Sequence, residues 1–208
     1  MAKRRGNDYE KLKKERQKRA KKEFSLMCRA LEKKGIAYER DEENMYAKFT
    51  SGSDYYKESS RLLRESGEKT EQLNCYFRPL DFTEFAYLYT HYPFAVSYDQ
   101  KASISVAVAL LNWRELGCIF NYNFRSGTFE ISEKLFYRGV GIGIGDYEKM
   151  IEDFRWAVWF GFLFVRKILR NHTPPDRVAE SFAEVWDALG KEDEVFIRSL
   201  SDERGEKA

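Results

Sequence analysis

Residues 112–137, NWRELGCIFNYNFRSGTFEISEKLFY, most restrict what this chain can fold into. Cys118, Phe120, Tyr122 and Phe124 alternate with Ile119, Asn121 and Asn123. After Arg125, Ser126 and Gly127, a second run sets Phe129, Ile131, Leu135 and Tyr137 against Thr128, Glu130, Ser132 and Lys134. Successive side chains of a strand point to opposite sides, so this pattern predicts two strands, each with one buried face. A tight turn pairs them in register with their large apolar side chains together. Their exposed side carries no catalytic constellation, so the hairpin speaks to architecture before activity.

The flanking segments extend the pattern. Phe24, Met27, Cys28 and Leu31 recur at helical spacing, and Gly35 stands where a C-terminal cap is expected. Residues 36–40 and 45–50 read as short strands around the acidic turn 41–44, whereas 51–71, containing YYKESSRLLRES, reads as a polar insertion. Leu73, Cys75 and Phe77 alternate with Asn74, Tyr76 and Arg78, and after Pro79 a further strand runs from Phe85 to Tyr92, ended by Pro93. Residues 102–113 fit either period; their length, alanines and polar lead-in favour helix. Past the glycine-rich loop, Tyr147, Met150, Ile151, Phe154, Val158, Phe162, Val165 and Leu169 mark a long helix with Asp146 as its expected N-cap. Thr173, followed by two prolines, opens an amphipathic helix carrying Val178, Phe182, Val185, Trp186 and Leu189, closed by Gly190. Val195, Phe196, Ile197 and Leu200 leave a last apolar patch before a charged tail.

Composition narrows the function classes. A content of 43% hydrophobic and 16% aromatic residues suffices for one core and suits strands and interfaces. The net charge is only +2, but it is unevenly spread: Lys3, Arg4, Arg5, Lys11, Lys13, Lys14, Arg16, Lys18, Arg19, Lys21 and Lys22 face only Asp8, Glu10 and Glu15. Such a segment cannot bury a face, so residues 1–22 are expected to be disordered or a solvated helix. It has no apolar h-region, and the longest apolar run, Trp156–Val165, is about half of the ~20 residues that span a bilayer, so the expectation is a cytoplasmic protein without a membrane span. The three cysteines, Cys28, Cys75 and Cys118, lie far apart with no CxxC pair and are expected to be reduced thiols.

No motif carries chemistry. Gly139, Gly141, Gly143 and Gly145 are spaced GxGxGxG, neither GxGxxG nor a P-loop, and read as a connection whose Val140, Ile142 and Ile144 touch the core. His91 and His172 stand apart from metal-ligand spacing, and a meeting of His91 with Cys118 across the sheet would set a small buried thiol beside an imidazole. The expectation is therefore no enzyme, with no catalytic residue, no metal and no cofactor. The run FRWAVWFGFLFVRKIL is apolar nearly all round, so a second surface must cover it: the helix of residues 178–189, a homodimer partner or a client segment. Phe154, Trp156, Trp159, Phe160, Phe162, Phe182 and Trp186 are the expected partner-binding or dimer-interface residues.

The passage SISVAVALLNW running into LGCIFNYNFRSGTFEI, a helix ending in an asparagine turn followed by a glycine and an aromatic hairpin, resembles the YbjN-like family. The resemblance covers residues 24–170 and implies the fold of class I type III secretion chaperones. That fold is α+β, a curved antiparallel sheet with helices packed on one face, in the order α-β-β-β-β-α-β-β-α, here with a C-terminal helical extension. It further implies a bacterial, commonly dimeric protein with a regulatory character and no catalytic motif. The expected organisation is a basic segment at 1–22, the α+β domain at 23–171 and an amphipathic helix with tail at 172–208. The leading expectation is a non-enzymatic, chaperone-like protein-binding or regulatory module acting as a homodimer, with a protein client. A nucleic-acid-associated protein using the basic segment ranks second.

Overall fold

The structure, a computed structural model, describes residues 2–52, 72–80, 85–114, 116–137 and 141–189. Helix α1 (Ala2–Lys33) leads into the strands β1 (Tyr38–Asp41), β2 (Tyr46–Gly52), β3 (Gln72–Leu80) and β4 (Phe85–Tyr92). Helix α2 (Lys101–Trp113), the hairpin β5 (Ile119–Asn123) and β6 (Thr128–Phe136), and the long helix α3 (Ile144–Asn171) follow. After the 3-10 turn Pro175–Arg177 comes α4, residues 178–189. The fold is α+β: an open six-stranded antiparallel sheet ordered β1-β2-β3-β4-β6-β5, with helices packed on one face.

The covered face follows from the alternation. Leu73, Cys75 and Phe77 of β3, Leu88 and Tyr92 of β4, Phe120 and Tyr122 of β5, and Phe129 and Ile131 of β6 are buried. The same core holds Met27 and Leu31 of α1, Ile104 and Leu111 of α2, and Phe154, Val158 and Phe162 of α3. Helix α3 lies close on the sheet at Gly161, where a Cβ would come within 2.5 Å of the Phe120 ring and 2.7 Å of the Tyr92 hydroxyl. That hydroxyl donates to the Val158 carbonyl, tying β4 to the helix.

Several local expectations shift. The basic segment and the packed helix are one continuous α1, mostly solvated along residues 9–19 and with one face buried from Ala20 onward. Gly35, at φ +66°, ends it with Ile36 N–H donating to the Leu31 carbonyl, the αL cap expected there. Residues 102–113 are helical. Asp146 does not cap α3: the helix begins at Ile144, and Asp146 accepts the Gly143 N–H at 2.7 Å from its third position. Phe124 is 51% exposed, because β5 has already given way to the turn. Pro79 lies inside β3. The β2–β3 pairing runs only as far as Ala47 opposite Phe77, so among the described residues Pro79 has no strand on its other side that would need its missing N–H.

The insertion expected at 51–71 starts later than its sequence suggested, because Ser51 and Gly52 still pair in β2; residues 53–71, Val140, the Gly190 stop and the patch at 195–200 lie outside the described residues. Ile142 joins the core and Ile144 packs against it.

Candidate functional site

Helix α4 lies along α3 and covers Phe160 and Phe164, while the other buried rings of α3 pack toward the sheet. Phe154, Trp159, Phe160 and Phe162 are fully buried within one chain, and Phe182 is 4% exposed. Trp159 donates its indole N–H to Ser51 Oγ at 2.9 Å, and Phe162 stacks on Phe94 with centroids 4.9 Å apart. These five side chains are structural, since they offer no surface to another molecule without unpacking the core. Of the expected interface residues only Trp156, half-buried, and Trp186, 39% exposed, reach the surface.

Those two belong to a surface cluster. Trp156 stacks on Phe160 at 5.3 Å and meets Trp186 edge-on at 5.7 Å, while Phe182 stacks under Trp186 at 5.9 Å. The end of α2 adds a third tryptophan. Trp113 is 70% exposed, and the Arg114 guanidinium lies 5.0 Å from its ring, 5.6 Å from Phe182 and 5.8 Å from Trp186. Trp and Arg are enriched among binding hot spots. The cation over the rings adds about 0.5–1 kcal/mol at an exposed site. The arrangement suits contact with another polypeptide.

Trp113 and Arg114 had no local signal as site residues: they end a helix in sequence, and only the packing of α2 beside α4 sets them next to Trp186. The neighbouring Asn112 has a separate task. Its side chain accepts the Phe120 N–H at 2.8 Å and donates to the Phe120 carbonyl at 2.9 Å, standing in for a strand along the free edge of β5.

The groups weighed for chemistry are kept apart. Cys118 lies on the core face of the sheet and His91 on the opposite face, where it is exposed and 3.9 Å from Glu130. All three cysteines are buried, and burial pushes each thiol up, Cys75 to about 12, so none is a thiolate at neutral pH. Cys118 instead faces Glu133, with Sγ 3.8 Å from Oε2. Glu133 is a carboxyl on the core side of β6, which the alternation passed over. Burial and then the nearby Asp153 push it up to about 8 against the opposing pull of the Cys118 thiol and Lys149. Among the described residues, no three His, Cys, Asp or Glu side chains are grouped to hold a metal ion. No helix among them is long and apolar enough to cross a membrane.

The second surface is the sheet face that no helix covers among the described residues. Tyr46, Tyr76 and Tyr89 stack in sequence at 5.7 and 5.2 Å, Tyr87 follows Tyr89 at 5.2 Å, and Phe85 joins Phe136 at 5.6 Å. Partial burial pushes the Tyr46, Tyr87 and Tyr89 phenols up, leaving them neutral.

No protein-family model matches the chain. No curated protein matches it either. Among solved structures it is similar to a chain of the crystal structure of the ExsC–ExsE complex, at 13% identity, with a TM-score of 0.32, over 44% of this chain and 68% of that one. A likeness of that size carries no argument about function.

Proposed function

We propose that this chain is a non-enzymatic, YbjN-like protein-binding module of chaperone-like or regulatory character that works in the cytoplasm as a homodimer. Its domain is residues 23–171, completed by the helix that follows. The observation that carries this reading is the patch of Trp113, Trp156 and Trp186 around Arg114, left at the surface beside the rings of Phe160 and Phe164 that α4 covers. A second copy of the chain is its first occupant and a client polypeptide its second. The absence of a reactive thiol and the separation of His91 from Cys118 favour binding over catalysis.

Sedimentation of the intact chain and of a W113A/W186A variant tests it. The intact chain is expected to sediment as a dimer, and the variant as a folded monomer with unchanged circular dichroism. A monomeric intact chain overturns the homodimer. Equal capture of cytosolic polypeptides by both forms overturns the patch as contact surface.

A further inference from the structure

The sheet face that no helix covers among the described residues has an order that the patch on the other side of the molecule does not explain. Its side chains fall into cross-strand rows. Arg78 of β3 lies opposite Tyr87 of β4, and Tyr87 opposite Lys134 of β6, so one tyrosine has a cation on either side. In the adjacent row Lys48 of β2 lies opposite Tyr76, Tyr76 opposite Tyr89, and Tyr89 opposite Ser132. In the row beyond Tyr87, Leu80, Phe85 and Phe136 follow one another. The Lys134 ammonium lies 5.7 Å from the centre of the Phe85 ring and 5.8 Å from that of Tyr87.

We propose that this face binds single-stranded nucleic acid, with bases stacking on Phe85, Tyr87, Tyr89 and Tyr76 and phosphates drawn to Lys48, Arg78 and Lys134. Open sheets that bind single strands place aromatic rings on their exposed face, because every base has a π-face and stacking tolerates any sequence. Cations beside the rings neutralise phosphates and release their counterions. The carboxylates on this face, Glu39, Asp41 and Glu130, each have a polar partner, Asp41 accepting the Asn44 N–H at 3.0 Å. Glu130 accepts the Tyr87 hydroxyl at 2.9 Å and lies beside His91, and Glu39 faces Lys48 at 3.5 Å in an exposed pair that a phosphate can displace. The character of the face disfavours a protein partner: its aliphatic side chains, Leu80 and Ile119, lie at its margins, while its centre is tyrosine bracketed by charge. Strand addition is not the sheet's route to a partner either, since Asn112 occupies the β5 edge at Phe120 and β1 is only four residues long.

The test is fluorescence anisotropy of labelled oligo(dT) of about 15 nucleotides against the full chain, with the matching duplex as competitor. The intact chain is expected to bind the single strand more tightly than the duplex. Y76L/Y89L is expected to weaken binding by about tenfold or more, whereas Y76F/Y89F, which keeps both rings, stays near the intact chain. R78Q/K134Q is expected to flatten the salt dependence by about 0.7 per lost phosphate contact. Failure of the intact chain to bind overturns the proposal. So does binding that survives Y76L/Y89L but is lost when Lys11, Lys13 and Lys14 of α1 are replaced by Glu, which would place the nucleic acid on that helix. Capture of a polypeptide that Y76L/Y89L abolishes, without oligonucleotide binding, likewise overturns it. Should Y76L/Y89L fail to fold, R78E/K134E decides: lost binding supports the site and retained binding refutes it.

Discussion

Glu133 occupies a position where a strand residue is expected to be apolar, opposite Leu88 on the core face of β6. Its folded carboxyl, pushed up to about 8 by burial and then by Asp153, holds a proton that an unfolded glutamate releases near its ordinary value of 4.5. Between those two values the unfolded chain binds fewer protons than the folded one, so this group's contribution to stability falls as pH rises through the window. E133Q keeps the shape and removes the titration. Urea melts are expected to show a shallower loss of stability from pH 5 to pH 8 in the variant, and an advantage of up to about 4 kcal/mol over the native chain at pH 8. Identical pH profiles would show that Glu133 is solvated. At the other end of the sheet, Ser51 Oγ accepts the buried Trp159 N–H, with Arg155 Nε at 3.3 Å. S51A leaves that indole without its acceptor and is expected to cost about 1–3 kcal/mol, read from the midpoint of thermal or urea unfolding.

At the scale of the element, the contact between α3 and the sheet turns on Gly161. A methyl group there meets the Phe120 ring and the Tyr92 hydroxyl, both held in the core, so G161A is expected to destabilise the fold by about 1–3 kcal/mol despite alanine's better helix propensity. A variant at least as stable as the parent would show that α3 can lift off the sheet. The elements with a strict period were legible in the chain itself: Phe120 and Tyr122 against Asn121, Leu73 to Phe77, and the three- and four-residue spacing through Phe154 and Val158. Each depends on which side of its own backbone is apolar. What was not legible depends on neighbours distant in sequence. Glu133 takes an inward place because β6 pairs continuously with β4, and Arg114 reaches the rings of Phe182 and Trp186 only beside α4. The tyrosines of β3 and β4 read as the polar alternates of buried strands, yet in register they form a surface. Asn112 is the sharpest case, since its role exists only once β5 lies alongside α2. N112A is expected to lower stability by about 1–3 kcal/mol and to promote edge-to-edge self-association, detectable by light scattering.

At the scale of the whole molecule, the described helices cover one face of the sheet, and α1 and α4 both pack on α3. Glu23 of α1 accepts the Tyr147 hydroxyl at 2.8 Å, and Phe182 of α4 lies edge-on to Phe160 at 5.0 Å and to Phe164 at 5.1 Å. Residues 172–189 therefore complete the core, and F182A is expected to cost about 3–5 kcal/mol, measured by urea unfolding. The order in which a ribosome delivers these parts gives that contact a temporal meaning. By the time Asn171 is made, the sheet and α3 are all present, yet Phe160 and Phe164 have no cover until Phe182 and Leu189 have also emerged. At about 5–20 residues per second the nascent protein carries a bare aromatic strip for roughly one to several seconds. Helix α4 thus sets the interval during which a newly made molecule is open to wrong company.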